Sequence, residues 1–163
     1  MLKYLRINQE ESAVIFILLI AGACALDLYF KNRVEKMPKT SLPRKTAGGL
    51  ITVCRSHNSG LIMRLGEKNP KLVKLVSAAG GLLCLLFYLP QFLKAGNTLM
   101  KLGGSLLLGG AASNLIDHFQ RGYVVDYLQL PLRPIRRIAF NLGDLCIFAG
   151  WLLTLLSCLG REN

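Results

Sequence analysis

Gly109-Gly110-Ala111-Ala112-Ser113-Asn114-Leu115-Ile116-Asp117 ends a run of small and apolar residues on a carboxylate, with His118 directly after it. Val124-Val125-Asp126-Tyr127 places a second carboxylate nine residues further on, where apolar sequence has given way to polar. A third stands in Phe140-Asn141-Leu142-Gly143-Asp144, just inside the next apolar run. Glycine and alanine let helix backbones approach closely, which matters in lipid because no hydrophobic drive brings helices together there.

Outward from this stretch the chain divides into apolar blocks and basic connections. Of its 163 residues 52% are hydrophobic, the mean hydropathy is +0.42, and the apolar residues are gathered rather than alternating. Blocks at about 13–30, 72–90, 99–117 and 139–159 approach or exceed the roughly 17–25 residues that cross a bilayer as a helix. The expected fold is an all-α membrane protein, one domain over residues 1–163 with four transmembrane helices. Residues 31–71 are polar, basic and broken by Pro38, Pro43, Gly48, Gly49, Gly60 and Pro70. Within them Leu50-Ile-Thr-Val-Cys54 and Leu61-Ile-Met-Arg-Leu65 flank a turn at Asn58-Ser59-Gly60, so a small β-rich cap is expected.

The net charge of +11 suggests nucleic acid in a soluble protein. Here the basic residues flank apolar spans, so membrane lipids with anionic head groups are the expected counter-charge, and no nucleic acid is expected. The five cysteines form no CxxC and no Cys/His cluster; they read as small core residues, with neither metal nor disulfide implied.

Four spans cross back and forth, so sidedness follows by counting. Asp27 ends the first span, Asp117 closes the third, Asp126 follows in the linker 118–138, and Asp144 lies about one turn into the fourth. These four are all the aspartates in the chain, and all reach one face. A carboxylate in or beside hydrocarbon is costly unless paired or solvated, and marks function by default. Two carboxylates brought close cannot both ionise easily, so one keeps a proton at neutral pH. Aspartic proteases use that arrangement, one group as base towards water and the other as acid towards the carbonyl.

The motifs around Asp117, Asp126 and Asp144 resemble the two strongest motifs of bacterial lipoprotein signal peptidase (signal peptidase II). Asp27-Leu-Tyr-Phe-Lys31 resembles that family's Asp-Gln-x-x-Lys motif, and Asn58-Ser59-Gly60 its Asn-x-Gly motif in the cap. The resemblance implies an intramembrane aspartyl protease with an extracytoplasmic active site and cytoplasmic termini in the bacterial inner membrane. Its substrates would be prolipoproteins cut just before a diacylglyceryl-modified cysteine. It also implies that Asp126 and Asp144 are the catalytic pair, that Asn114, Asp117 and Asn141 support it, and that Asp27, Lys31, Asn58 and Gly60 shape the site and its cap. No cofactor is implied, and a monomer is expected. Three positions depart from the family pattern: His118 replaces an Arg that would pair with Asp117 unless Arg121 does so, Leu28 replaces a Gln, and Gly143 replaces an Ala. Neither His118 nor His57 is assigned a catalytic role.

Two other readings compete. A proton-coupled transporter also uses buried Asp residues, but the second span has no charge after Lys74 to continue a relay. A catalytically silent relative that binds lipidated peptides fits less well, because both catalytic positions are retained. Ala21-Gly-Ala-Cys24 mimics a lipoprotein signal sequence, but the apolar run continues past the cysteine and Ala21 stands where a large aliphatic belongs. The charge distribution opposes the family orientation: fifteen of twenty Lys/Arg fall on the aspartate face, which the positive-inside rule would place in the cytoplasm. That rule weighs short loops near span ends, and a folded cap of about forty residues fits it poorly.

Overall fold

The computed structural model of the chain describes residues 9–60, 68–94, 96–131 and 138–160. Four helices, α1 (Gln9–Glu35), α2 (Pro70–Leu93), α3 (Thr98–Gln120) and α4 (Leu142–Leu159), are each long and apolar enough to cross a membrane. In hydrocarbon an unpaired backbone amide is costly, so an apolar segment of this length closes its hydrogen bonds within itself. Asparagine caps three of the starts. Asn69 accepts from the Leu72 N–H at 3.2 Å, Asn97 from the Met100 N–H at 3.2 Å, and Asn141 from the Asp144 N–H at 2.8 Å.

Helix α3 is the axis of the bundle, touching the other three helices. Half of its apolar window is buried, against 11% for α1, 11% for α2 and 17% for α4, whose outer faces present Leu83, Phe148 and Trp151 to lipid. Two close approaches need glycine. A Cβ on Gly110 would stand 2.3 Å from the Gly143 carbonyl oxygen, and one on Gly150 would stand 2.4 Å from that of Gly103. The α3–α4 contact is thus backbone against backbone, and it brings the start of α4 against the end of α3.

A four-stranded antiparallel sheet, β1 (Arg44–Thr46), β2 (Ile51–Asn58), β3 (Val124–Gln129) and β4 (Ala139–Phe140), lies in that order at the aspartate end. The cap differs from its sequence expectation. Its central pairing is β2 with β3, from the linker after α3, and not a local hairpin. Leu61–Leu65, expected as the second strand, lies outside the described residues, as do Arg133, Arg136 and Arg137 of the linker. Val124, Val125, Asp126 and Tyr127 are all buried, so β3 shows no inside–outside alternation that sequence could reveal. The register of β2 on β3 shifts between Val53 and Ser56, immediately before the pairing of Ser56 with Asp126. Such irregularities re-aim side chains beside functional sites.

The helix ends also move. Helix α1 runs to Glu35, beyond the expected end at residue 30, because Lys31 and Arg33 are good helix formers. The cap therefore starts later than residue 31. Helix α2 passes through Pro90 to Leu93, where proline forfeits a single hydrogen bond near the helix end.

Candidate active site

Helical spacing sets the first layer of the site. Asp27 and Lys31 are four apart on α1 and meet at 2.8 Å, both fully buried. On α3, Ser113, Asp117 and then Arg121 just past its end repeat that interval. Lys31 Nζ donates to Ser113 Oγ at 3.0 Å and to Asn114 Oδ1 at 2.7 Å, and lies 3.4 Å from Asp117 Oδ2. The Ser113 hydroxyl in turn donates a hydrogen bond to Asp27 Oδ2 at 2.6 Å. The Tyr127 hydroxyl donates to Asp27 Oδ1 at 3.0 Å and accepts from the Leu142 N–H at 3.2 Å, linking α1, β3 and α4. Burial first, and then the charge of Asp27, push the Tyr127 phenol well above its usual range, so it remains a donor.

Asp117 Oδ2 also accepts from the Val125 N–H at 3.1 Å, fixing the entry of the chain into β3. Arg121 Nε stands 3.0 Å from Asp117 Oδ1, as an ion pair without hydrogen-bond alignment, while its Nη2 donates to Asn32 Oδ1. Arg121 therefore occupies the partner role left open by His118. His118 is buried yet has no hydrogen bond to Asp117, and His57 lies on the exposed edge, bonded to Glu35 and stacked on Tyr123. Lys31 and Arg121 offset the charges of Asp27 and Asp117, and among the described residues Asp126 and Asp144 have no ion pair of their own.

Asn141 joins those two carboxylates. Its Nδ2 donates to Asp126 Oδ1 at 2.8 Å, and its backbone N–H donates to Asp144 Oδ2 at 3.1 Å. Its own Oδ1 caps the Asp144 N–H, so the helix start and the carboxylate clamp are one structure. Asn114, held by Lys31 through its oxygen, turns Nδ2 to Asp144 Oδ1 at 2.9 Å. Asn58 hydrogen-bonds Asp126 from β2, while its Oδ1 accepts from the buried Gly60 N–H at 3.1 Å in a tight turn. Asp126 is only 5% exposed; burial, and next the neighbouring charge of Asp144, push its carboxyl from 3.8 to about 7.

All nine side chains or turn positions anticipated from sequence thus fall in one connected cluster: Asp27, Lys31, Asn58, Gly60, Asn114, Asp117, Asp126, Asn141 and Asp144. Ser113 and Tyr127 belong to it too and were not anticipated, although Ser113 stands four before Asp117 and Tyr127 follows Asp126 directly. Gly143 is less neutral than its size suggests. A Cβ there would lie 2.7 Å from Asp27 Oδ2 and 3.0 Å from Asn141 Oδ1, so this packing excludes a side chain. Among the described residues, no three His, Cys, Asp or Glu side chains are grouped to hold a metal ion.

The profile of the family described as Signal peptidase (SPase) II matches residues 12–160. The chain belongs to the signal peptidase II family. It is 31% identical over 140 residues to the lipoprotein signal peptidase of Caldicellulosiruptor bescii, covering 86% of this chain and 87% of that protein. It is 33% identical over 137 residues to that of Moorella thermoacetica, covering 83% and 86%. Its fold is similar to a solved structure described as "Bacterial membrane enzyme structure by the in meso method at 2.3 A resolution", with TM-score 0.78, 20% identity and coverage of 91% of this chain and 90% of the other. The chain is a multi-pass protein of the bacterial inner membrane and a protease; family membership does not favour the transporter or silent-relative readings.

Proposed function

We propose that this protein is an aspartic endopeptidase that removes signal peptides from diacylglyceryl-modified prolipoproteins, with Asp126 and Asp144 as its catalytic pair. The observation that carries the reading is the double grip of Asn141, whose amide and backbone N–H each hold one of the two carboxylates. Buried carboxylates this closely coupled retain one proton between them. Asp126, pushed to about 7, carries that proton and gives it to the scissile carbonyl oxygen. Asp144, oriented by Asn114 and Asn141, takes a proton from the attacking water, whose oxygen bonds to the carbonyl carbon. Collapse of the resulting diol expels the amine of the new N-terminal cysteine, which leaves with a proton from the pair. The chemistry needs no cofactor.

In this reading Asn114, Asp117 and Asn141 hold the pair in register. Asp27 and Lys31 form the neutral floor beneath it, and Asn58 and Gly60 close it from the cap. The substrate's lipid stays in the bilayer while its peptide bond meets water at the interface. The site faces the extracytoplasmic side. The basic excess on that side is partly bound up in structure: Lys31 and Arg121 sit in ion pairs, and Arg55 donates to the Glu35 and Met37 carbonyls at 2.8 and 3.2 Å. We propose a monomer, since one chain supplies every group named. Purified protein should cut a diacylglyceryl-modified prolipopeptide immediately before the cysteine, as read by mass spectrometry, and leave the unlipidated peptide intact. Equal cleavage of both peptides would overturn the substrate assignment.

A further inference from the structure

The end of the bundle opposite the aspartates contains a second buried charge. Lys101, in the first turn of α3, is 3% exposed, and its Nζ lies 5.6 Å from the centre of the Phe16 ring on α1. Among the described residues it has no carboxylate and no hydrogen-bond acceptor. A buried ammonium without a counter-charge is unfavourable, and the ring face offsets only part of that cost. The position makes matters worse, because the N-terminus of a helix already carries partial positive charge.

Asn97 is the N-cap of α3, four residues earlier in the chain, and helical side chains such as that of Lys101 lean towards the N-terminal end where it stands. The Asn97 Oδ1 is used twice, accepting from the Met100 N–H at 3.2 Å and from Ser157 Oγ of α4 at 2.6 Å. Those two donors fix the amide orientation, and its Nδ2 is buried with no partner among the described residues. A buried ammonium, an unused amide donor and a positive helix end point the same way, with no acceptor among them. This is the chemistry of an anion site. The span of α3 begins at Thr98, so Lys101 lies about one turn, roughly 5 Å, inside it. The anion available at that depth is lipid phosphate.

We propose that Lys101, the Asn97 amide and the first turn of α3 bind a phosphate-bearing anion, the phosphodiester of an anionic lipid, on the membrane face opposite the active site. The site lies about 24 Å along α3 from Asp117. It draws on α1 through Phe16 and on α4 through Ser157, so its occupant would clamp three helices. The proposal is independent of which carboxylates catalyse.

The test is thermal unfolding of the full-length protein in neutral detergent, titrated with dioleoylphosphatidylglycerol, dioleoylphosphatidylcholine or inorganic phosphate. The wild type, Lys101→Arg and Lys94→Met, which removes an exposed lysine from the same face, should each gain several degrees with phosphatidylglycerol. Lys101→Met should gain none. A Lys101-dependent gain with inorganic phosphate as well would support the anion site and identify a free phosphate as an alternative source. Native mass spectrometry of the wild type, counting retained phosphatidylglycerol, serves if Lys101→Met does not fold. An equal gain in Lys101→Met and wild type, or no gain and no retained lipid in the wild type, would overturn the proposal.

Discussion

Replacing Asn141 separates the two tasks it performs. Asn141→Ala removes the amide donor 2.8 Å from Asp126 Oδ1 and the cap on the Asp144 N–H at 2.8 Å, but keeps the backbone N–H that holds Asp144. Loss of the cap should cost about 1 kcal/mol of stability. Loss of a hydrogen bond to a buried carboxylate is worth about 1.5–3 kcal/mol. If that bond positions Asp126 in the transition state, kcat/KM should fall roughly 10- to 150-fold at about 1.4 kcal/mol per decade. Asn141→Asp should keep the cap, because aspartate caps as well as asparagine. It replaces the donor with a third carboxylate, so activity should fall further and the alkaline limb of the pH profile should move up. The assay is cleavage of a lipidated prolipopeptide across pH, with melting temperature measured on the same preparations. If Asn141→Ala loses stability while kcat/KM stays within twofold, Asn141 is a helix cap only and the double-grip argument fails.

Other expectations follow from the same geometry. Because Asp126 is raised to about 7, kcat/KM should decline as pH rises through about 7 and the shared proton is lost; a flat profile from pH 6 to 9 would count against this. The folded protein binds that proton more tightly than the unfolded chain, so its stabilising effect is complete below 3.8 and disappears as pH rises through about 7, observable as a falling melting temperature. Lys31→Met leaves Asp27 without its ion pair and should cost about 3–5 kcal/mol in denaturation, whereas Arg121→Gln, at a partly exposed pair, should cost less; the reverse order would refute the placement of Lys31 at the centre. Gly110→Ala drives a methyl to within 2.3 Å of the Gly143 oxygen, so it should destabilise by about 1–3 kcal/mol and depress cleavage through displacement of Asn141.

The helices were legible in the sequence because length and apolarity are local properties. Their ends were less so, since Lys31 and Arg33 read as the start of a polar cap although α1 carries them. Lys31 is the clearest case. By composition it is one of many basic residues after a span; the motif it shares with Asp27 marks it for the site, and its full burial against Asp27, Ser113 and Asn114 gives it a central place that the sequence could not show. The pairing of β2 with β3 was hidden because it joins segments some seventy residues apart and because β3 is buried on both sides. Tyr127 was passed over for a related reason. Beside Asp126 it looks like ordinary apolar filling, and its link from Asp27 to the Leu142 N–H exists only once α1, β3 and α4 meet. Arg121 shows the converse: the departure at His118 drew attention to it, and the geometry seats it against Asp117.

The most direct test of the account is cleavage of a diacylglyceryl-modified prolipopeptide by folded Asp126→Asn and Asp144→Asn proteins beside the wild type. Both substitutions keep size and remove the acid–base group, so both variants should melt near the wild type and fail to cleave. Cleavage at wild-type rate by either one would contradict the assignment of Asp126 and Asp144 as the catalytic pair.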